Sequence, residues 1–231
     1  MYFFVLLKVA IYSLFANKLR SFLAVLGIII GVGAVIAMLA IGAGAKAQVM
    51  GTISAMGTNL LVVRPAQRGS GGVMSGTQQN LTVEDAQAIL AEVPGVVRVA
   101  PVVQGRGQVK YFENNSGTAV MGASVTYLPI RNFEIEKGRL FTDDEEDRMA
   151  HVIILGPVTV QNLMGDQEPI GTTVKVNGMN FQVIGVTKAK GDQGWFNPDD
   201  SAVVPYTTAM KQLFGLDYLR EIDIQCESPE L

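Results

Sequence analysis

SFLAVLGIIIGVGAVIAMLAIGAGA, residues 21–45, decides how the rest of the chain is read. Arg20 and Lys46 bracket this stretch, and none of its 25 residues is charged. About 20 apolar residues of helix are needed to cross the hydrocarbon core of a bilayer, whereas apolar runs of about 10–14 belong to buried core helices. A helix also makes its backbone hydrogen bonds internally, which lipid cannot do for it. The stretch therefore predicts a transmembrane helix. Lys8, Lys18 and Arg20 precede it, and no acidic residue occurs before Glu84. Basic flanks stay on the cytoplasmic side, so the N-terminus is expected inside and residues 46–231 outside. A secretory signal peptide is the competing reading, since Ala43-Gly44-Ala45 offers the small residues of a cleavage site. The run exceeds the ~7–15 residues of a signal h-region, and residues 1–20 stand ahead of it, which favours a retained helix.

Beyond the membrane stretch the chain has 15 basic against 21 acidic residues. That balance lacks the basic stripe a nucleic acid demands. Cys226 is the only cysteine, so no intramolecular disulfide forms and an exported domain must rely on its apolar core. Cys226 alternates with Ile222 and Ile224 in EIDIQCE, which predicts a buried strand position. His151 is the only histidine, which removes every metal or catalytic set needing two. No G-x-S-x-G, H-E-x-x-H or phosphate-binding G-x-x-x-x-G-K-[ST] is present. The acidic run 142–147 (TDDEED) lacks the alternating ligands and mid-loop glycine of a calcium loop, while Thr142 and Glu145 make a helix capping box. No catalytic, cofactor or metal site is assigned. The outer region reads as a binding or coupling domain, not an enzyme.

Residues 1–20 place Phe3, Leu7, Ala10, Ile11 and Leu14 on one stripe at helical spacing. This predicts an amphipathic helix on the inner membrane surface, serving as an anchor or as a lever against a cytoplasmic partner. In the membrane helix, Gly27 and Gly31 form a G-x-x-x-G, which lets a neighbouring helix approach closely. Lys46–Ala55 continues the helix, Thr58–Arg64 is a strand, and Pro65–Asn80 is a mobile loop without apolar period. A helix follows, capped by Thr82 with Asp85, with Ala86, Ile89, Leu90 and Val93 on its apolar face and Pro94-Gly95 as its stop. Val96–Val103 and Gly107–Glu113 read as two strands, with Asn114–Gly117 as the turn into Thr118–Val125. His151–Gly156 is a strand and Pro157–Met164 a helix. Gly171–Gly191 is a hairpin about Asn177-Gly178, a pair suited to a type I′ turn. Ser201–Tyr206 is a strand, Thr207 caps a helix to Phe214, and Glu221–Glu227 is the last strand. Trp195 and Phe196, in GDQGWFNPDD (191–200), are expected at a lobe interface or partner surface, or else as a satellite of the core. The fold class is α+β, strand-rich beyond its membrane helix.

A succession of segments resembles the periplasmic core of MacB-type ABC transporter permeases. These are ANKLRSFLAVLGIIIGVGAVIAMLAIG (16–42), GTNLLVVRP (57–65), LTVEDAQAI (81–89), PGVVRVAPVV (94–103), KGRLFTDDE (137–145), VIILG (152–156), PIGTTVKVNGMNFQVIGV (169–186) and DDSAVVPYTTA (199–209). The resemblance implies an extracytoplasmic domain of two α+β lobes, porter and sabre, in a plasma-membrane exporter. It implies a homodimeric permease driven by an ATPase subunit, with a periplasmic adaptor or membrane-fusion protein continuing the path outside. It also implies that the helix of residues 1–20 touches the ATPase. Such permeases carry three further membrane helices after the outer domain, so this chain is expected to be their N-terminal portion, incomplete at its C-terminus. A membrane-tethered adaptor without transport activity is the alternative expectation.

Overall fold

The computed structural model describes residues 16–55, 59–65, 67–70, 73–77, 80–191 and 197–228, together with Phe4, Val5, Lys8, Val9 and Tyr12. The chain divides into two compact units, Met1–Gly51 and Thr52–Leu231.

The first unit is dominated by helix α1, Lys18–Ala55, 38 residues long. At 1.5 Å per residue it extends about 57 Å, well beyond a hydrocarbon core of about 30 Å. Its Lys18–Gly51 portion is long and apolar enough to cross a membrane. Phe22, Ile28, Val35, Ile36 and Ile41 are all exposed on it. A helix that is apolar all round is matched to lipid and not to water. The helical continuation to Ala55 is as the sequence predicts. The stripe of Phe3, Leu7, Ala10, Ile11 and Leu14 lies outside the described residues, although Phe4, Val5, Lys8, Val9 and Tyr12 are helical.

The second unit is built on one nine-stranded sheet. Its strands are β1 (Leu60–Val63), β4 (Val96–Tyr111), β5 (Asn114–Ala123), β6 (Ile135–Gly138), β7 (Val152–Leu155), β8 (Thr173–Val176), β9 (Met179–Thr187), β10 (Ser201–Pro205) and β11 (Glu221–Cys226). Their order is β1-β11-β4-β5-β10-β7-β9-β6, with β8 pairing β4 and β9. A separate hairpin joins β2 (Gln67–Ser70) to β3 (Val73–Thr77). The helices are α2 (Val83–Glu92), α3 (Tyr127–Ile130), α4 (Asp143–Asp147), α5 (Pro157–Met164) and α6 (Tyr206–Thr208), which runs into a π-helical turn, Ala209–Phe214. Successive strand residues face opposite sides, and both sides are apolar. Ile153, Leu155, Val120 and Val204 pack on one face with α2 and α5 residues, while Ile154, Met121 and Val203 pack on the other with Tyr127 and Leu128 of α3.

Several local expectations are corrected. The segment 65–80 is not all loop: β2 and β3 pair within it, because a backbone ladder needs no apolar period. Leu90 and Val93 are exposed, since α2 turns Ala86 and parts of Val83 and Ile89 toward the core. Val96–Tyr111 is one continuous strand. Its Gly105 is no break: a Cβ there would lie 2.4 Å from the Phe214 ring, so the glycine makes room for that ring. The β4–β5 turn falls at Phe112-Glu113, with Tyr111 opposite Asn114, and not at Asn114–Gly117. That register keeps Val109 and Val120 buried together, and it outweighs the turn preference of the asparagines. Thr207 caps no helix; its hydroxyl donates to the Glu146 carbonyl instead. Cys226 is a free thiol, half-buried at the edge of the core where full burial was expected.

Candidate functional site

His151 and most of the acidic run are committed to structure. His151 stacks on Phe181 with ring centres 5.1 Å apart and hydrogen-bonds Gln212. In the acidic run the Thr142–Glu145 capping box forms, Arg139 binds Glu145 at 2.6 Å, and Arg148 binds Asp144 at 2.8 Å. Among the described residues no group of three or more His, Cys, Asp or Glu is placed to hold a metal ion.

Polar contacts brace β1, the four-residue edge strand Leu60–Val63, at both ends. β1 pairs only with β11, from Leu60 opposite Gln225 to Val63 opposite Ile222. Asn59 accepts the Cys226 amide at its carbonyl and donates its side-chain amide to the Glu227 carbonyl at 3.2 Å. At the other end, Arg64 binds Glu221 at 2.7 Å. Glu221 also receives Arg131 of the α3 C-terminus at 2.9 Å, and Arg131 donates two further bonds to Asp223 at 2.6 and 2.8 Å. Burial disfavours the Arg131 cation, but the Asp223 hydrogen bond and the charges of Asp223 and Glu221 outweigh it and raise its pKa. Burial likewise raises the Tyr127 phenol, whose ring lies 5.5 Å from the guanidinium. The strand that follows the membrane helix is thus tied through β11 to the helix packed on the far face. Sequence reading missed Arg131, Glu221 and Asp223; the charged Asp223 between Ile222 and Ile224 of a core strand was the available signal.

A second polar anchor fixes the chain on both sides of residues 192–196. The buried Asp199 carboxylate accepts the amides of Lys190 and Gly191, each at 2.8 Å, and the Asp199 amide donates to Asn197 at 3.0 Å. Trp195 and Phe196 themselves lie outside the described residues. Gly27 and Gly31, the expected helix-packing pair, sit one turn apart on α1, and a Cβ added to either meets nothing within 4 Å.

Residues 21–231 match the MacB-like periplasmic core domain family. The "Macrolide export ATP-binding/permease protein MacB" of Bdellovibrio bacteriovorus is 40% identical over 215 residues, 92% of this chain and 33% of the relative. That of Chlorobaculum tepidum is 41% identical over 224 residues, 96% of this chain and 34% of the relative. The chain thus spans about a third of the length of these relatives. The periplasmic region of MacB from Actinobacillus actinomycetemcomitans superposes with a TM-score of 0.64 at 24% identity, covering 75% of this chain and 77% of that one. The extracellular domain of the ABC-type transporter YknZ from Gram-positive bacteria gives 0.61 at 21% identity, covering 74% and 86%. These two structures share the fold of the sheet domain, and the family match extends over the apolar helix as well. The chain belongs to the MacB-like periplasmic core domain family.

Proposed function

We propose that this chain is the N-terminal portion of the permease subunit of an ABC exporter. It acts without catalysis, passing movement driven by ATP hydrolysis in a partner to a domain outside the membrane. The observation that carries the reading is the direct succession of an apolar helix and an edge strand bound into the sheet by Arg64, Glu221 and Arg131. A helix is stiff along its axis, so a shift or tilt of α1 loads β1 first, and the ion pairs spread that load to β11 and α3. The basic residues before the apolar run, set against the acidic balance after it, support a cytoplasmic N-terminus and an outer sheet domain in the plasma membrane. A homodimer, a nucleotide-binding subunit and a periplasmic adaptor are the partners this role needs. In the intact permease, removal of residues 46–231 should abolish ATP-dependent export, and unchanged export would refute the proposal. Co-purification separates it from a tethered adaptor: a nucleotide-binding subunit is expected with the exporter, and exterior partners alone with the adaptor.

A further inference from the structure

One edge of β4 is covered by β11 as far as Val102 and by β8 from Val109 onward, and among the described residues no strand pairs with it between them. The Arg220 amide donates to the Val102 carbonyl, and the Asn177 amide to the Gln108 carbonyl, closing the two ends of this gap. Strand alternation then aims the backbone groups of Gln104 and Arg106 into it. Residues 103–108 span about 20 Å of strand, room for an added strand of about four to six residues. Beside this gap a groove of about 730 Å³ opens over the sheet face, lined by Gln104 and Arg106 of β4, Gly117 and Ala119 of β5, Asp200 and Arg220. Gly117 leaves the floor bare, since a Cβ there would meet nothing within 4 Å.

Cations flank the gap in β4. Lys110 lies directly opposite Lys175 across the β4–β8 pair, where like charges repel. Among the described residues, Arg106, Lys110, Lys175 and Arg220 form no ion pair, although acidic residues outnumber basic ones in the chain. Asp200, the carboxylate lining the groove, is held by the hydroxyls of Thr118 and Thr159 at 3.0 and 3.1 Å. We propose that this gap, with the groove beside it, takes an extended acidic segment of a partner protein, which pairs with the free edge of β4 and sets its carboxylates against Arg106 and Arg220. An open strand edge selects a peptide backbone, and the unpaired cations select its side chains.

The inference needs only that the groove be accessible, so it is tested without assuming export. A labelled peptide of alternating Glu and Val is titrated into the full chain in detergent, with amide hydrogen exchange followed in parallel. Binding that protects the Gln104 and Arg106 amides is expected, weakening tenfold or more between about 50 and 300 mM salt. The R106E/R220E variant should lose it while unfolding at the same temperature, because both side chains are exposed. A Lys-and-Val peptide should not bind. Equal affinity for the variant, or protection elsewhere, would overturn the proposal. So would binding of inorganic polyphosphate through these arginines with none of the peptide, which would assign the face to phosphate groups.

Discussion

Arg131 grips Asp223 with two parallel hydrogen bonds, Nε to Oδ2 at 2.6 Å and Nη2 to Oδ1 at 2.8 Å. The Asp223 side chain has no exposed surface, and that of Arg131 is 18% exposed. Burial raises the Asp223 pKa, and the hydrogen bond and charge of Arg131 pull it back. Removing one member of such a pair strands the other, which costs about 3–5 kcal/mol, whereas replacing both with apolar groups is often nearly neutral. R131M should therefore destabilise the sheet domain by about that amount in urea unfolding. Adding D223L should restore most of the loss. A single variant as stable as the parent would show that the pair does not brace β11.

Glu146 gives the fold a pH signature. Its carboxylate accepts the Val125 amide at 2.9 Å, yet burial raises its pKa to about 7, with Asp143 and Asp147 adding to the shift. The folded state thus binds its proton more tightly than the unfolded chain, whose glutamates titrate near about 4.3. Between those two values the native state holds more protons, so stability falls as pH rises through the window. With solvent screening of a half-exposed group, the contribution is roughly 1–2 kcal/mol. Thermal unfolding from pH 5 to pH 8 should show this loss, and E146Q, which keeps an acceptor for Val125, should flatten the profile.

Gly156 tests the anchor at Asp199. A Cβ on Gly156 would lie 2.3 Å from the Asp199 carbonyl oxygen and 2.8 Å from its carbon. Backbone atoms cannot swing aside as a side chain can. The Gly156 amide is also bonded to the Ser201 carbonyl at 2.8 Å, which holds the two segments together. G156A should cost about 1–3 kcal/mol, the range for overpacked sites. It should also speed exchange of the Lys190 and Gly191 amides, which Asp199 receives. Unchanged exchange would mean that the anchor absorbs the methyl group.

These residues show what the sequence could and could not reveal. The membrane helix, the Thr82 and Thr142 capping boxes and the Asn177-Gly178 turn were legible because each depends on neighbours in the chain. Asn177 and Gly178 take φ values of 48° and 89°, as the hairpin turn requires. The Arg131–Asp223 pair spans 92 positions, and no local pattern announces it. Val96–Val103 and Gly107–Glu113 read as two strands, yet β4 runs through both, and a Cβ at Gly105 or Gly107 would lie 2.4 Å from the Phe214 ring or 2.5 Å from Val120. The turn was misplaced because Asn114 and Asn115 favour turns locally, while the register of β4 on β5 is set by buried valines on both strands.

The last prediction concerns Gly27 and Gly31. They are one helical turn apart, and a Cβ on either would find open space in the isolated chain. Leucine at both positions is therefore compatible with the helix itself, and it removes a helix-weakening residue at each site. If two copies pack through this face, the added side chains hold the backbones apart and cost the close dispersion contacts that join helices in lipid. G27L/G31L should weaken self-association tenfold or more in bilayers, read by energy transfer between labelled copies. I29L, an exposed substitution on the opposite face of the helix, serves as the control and should leave association unchanged. Full association of the double variant would move the contact to another face of α1.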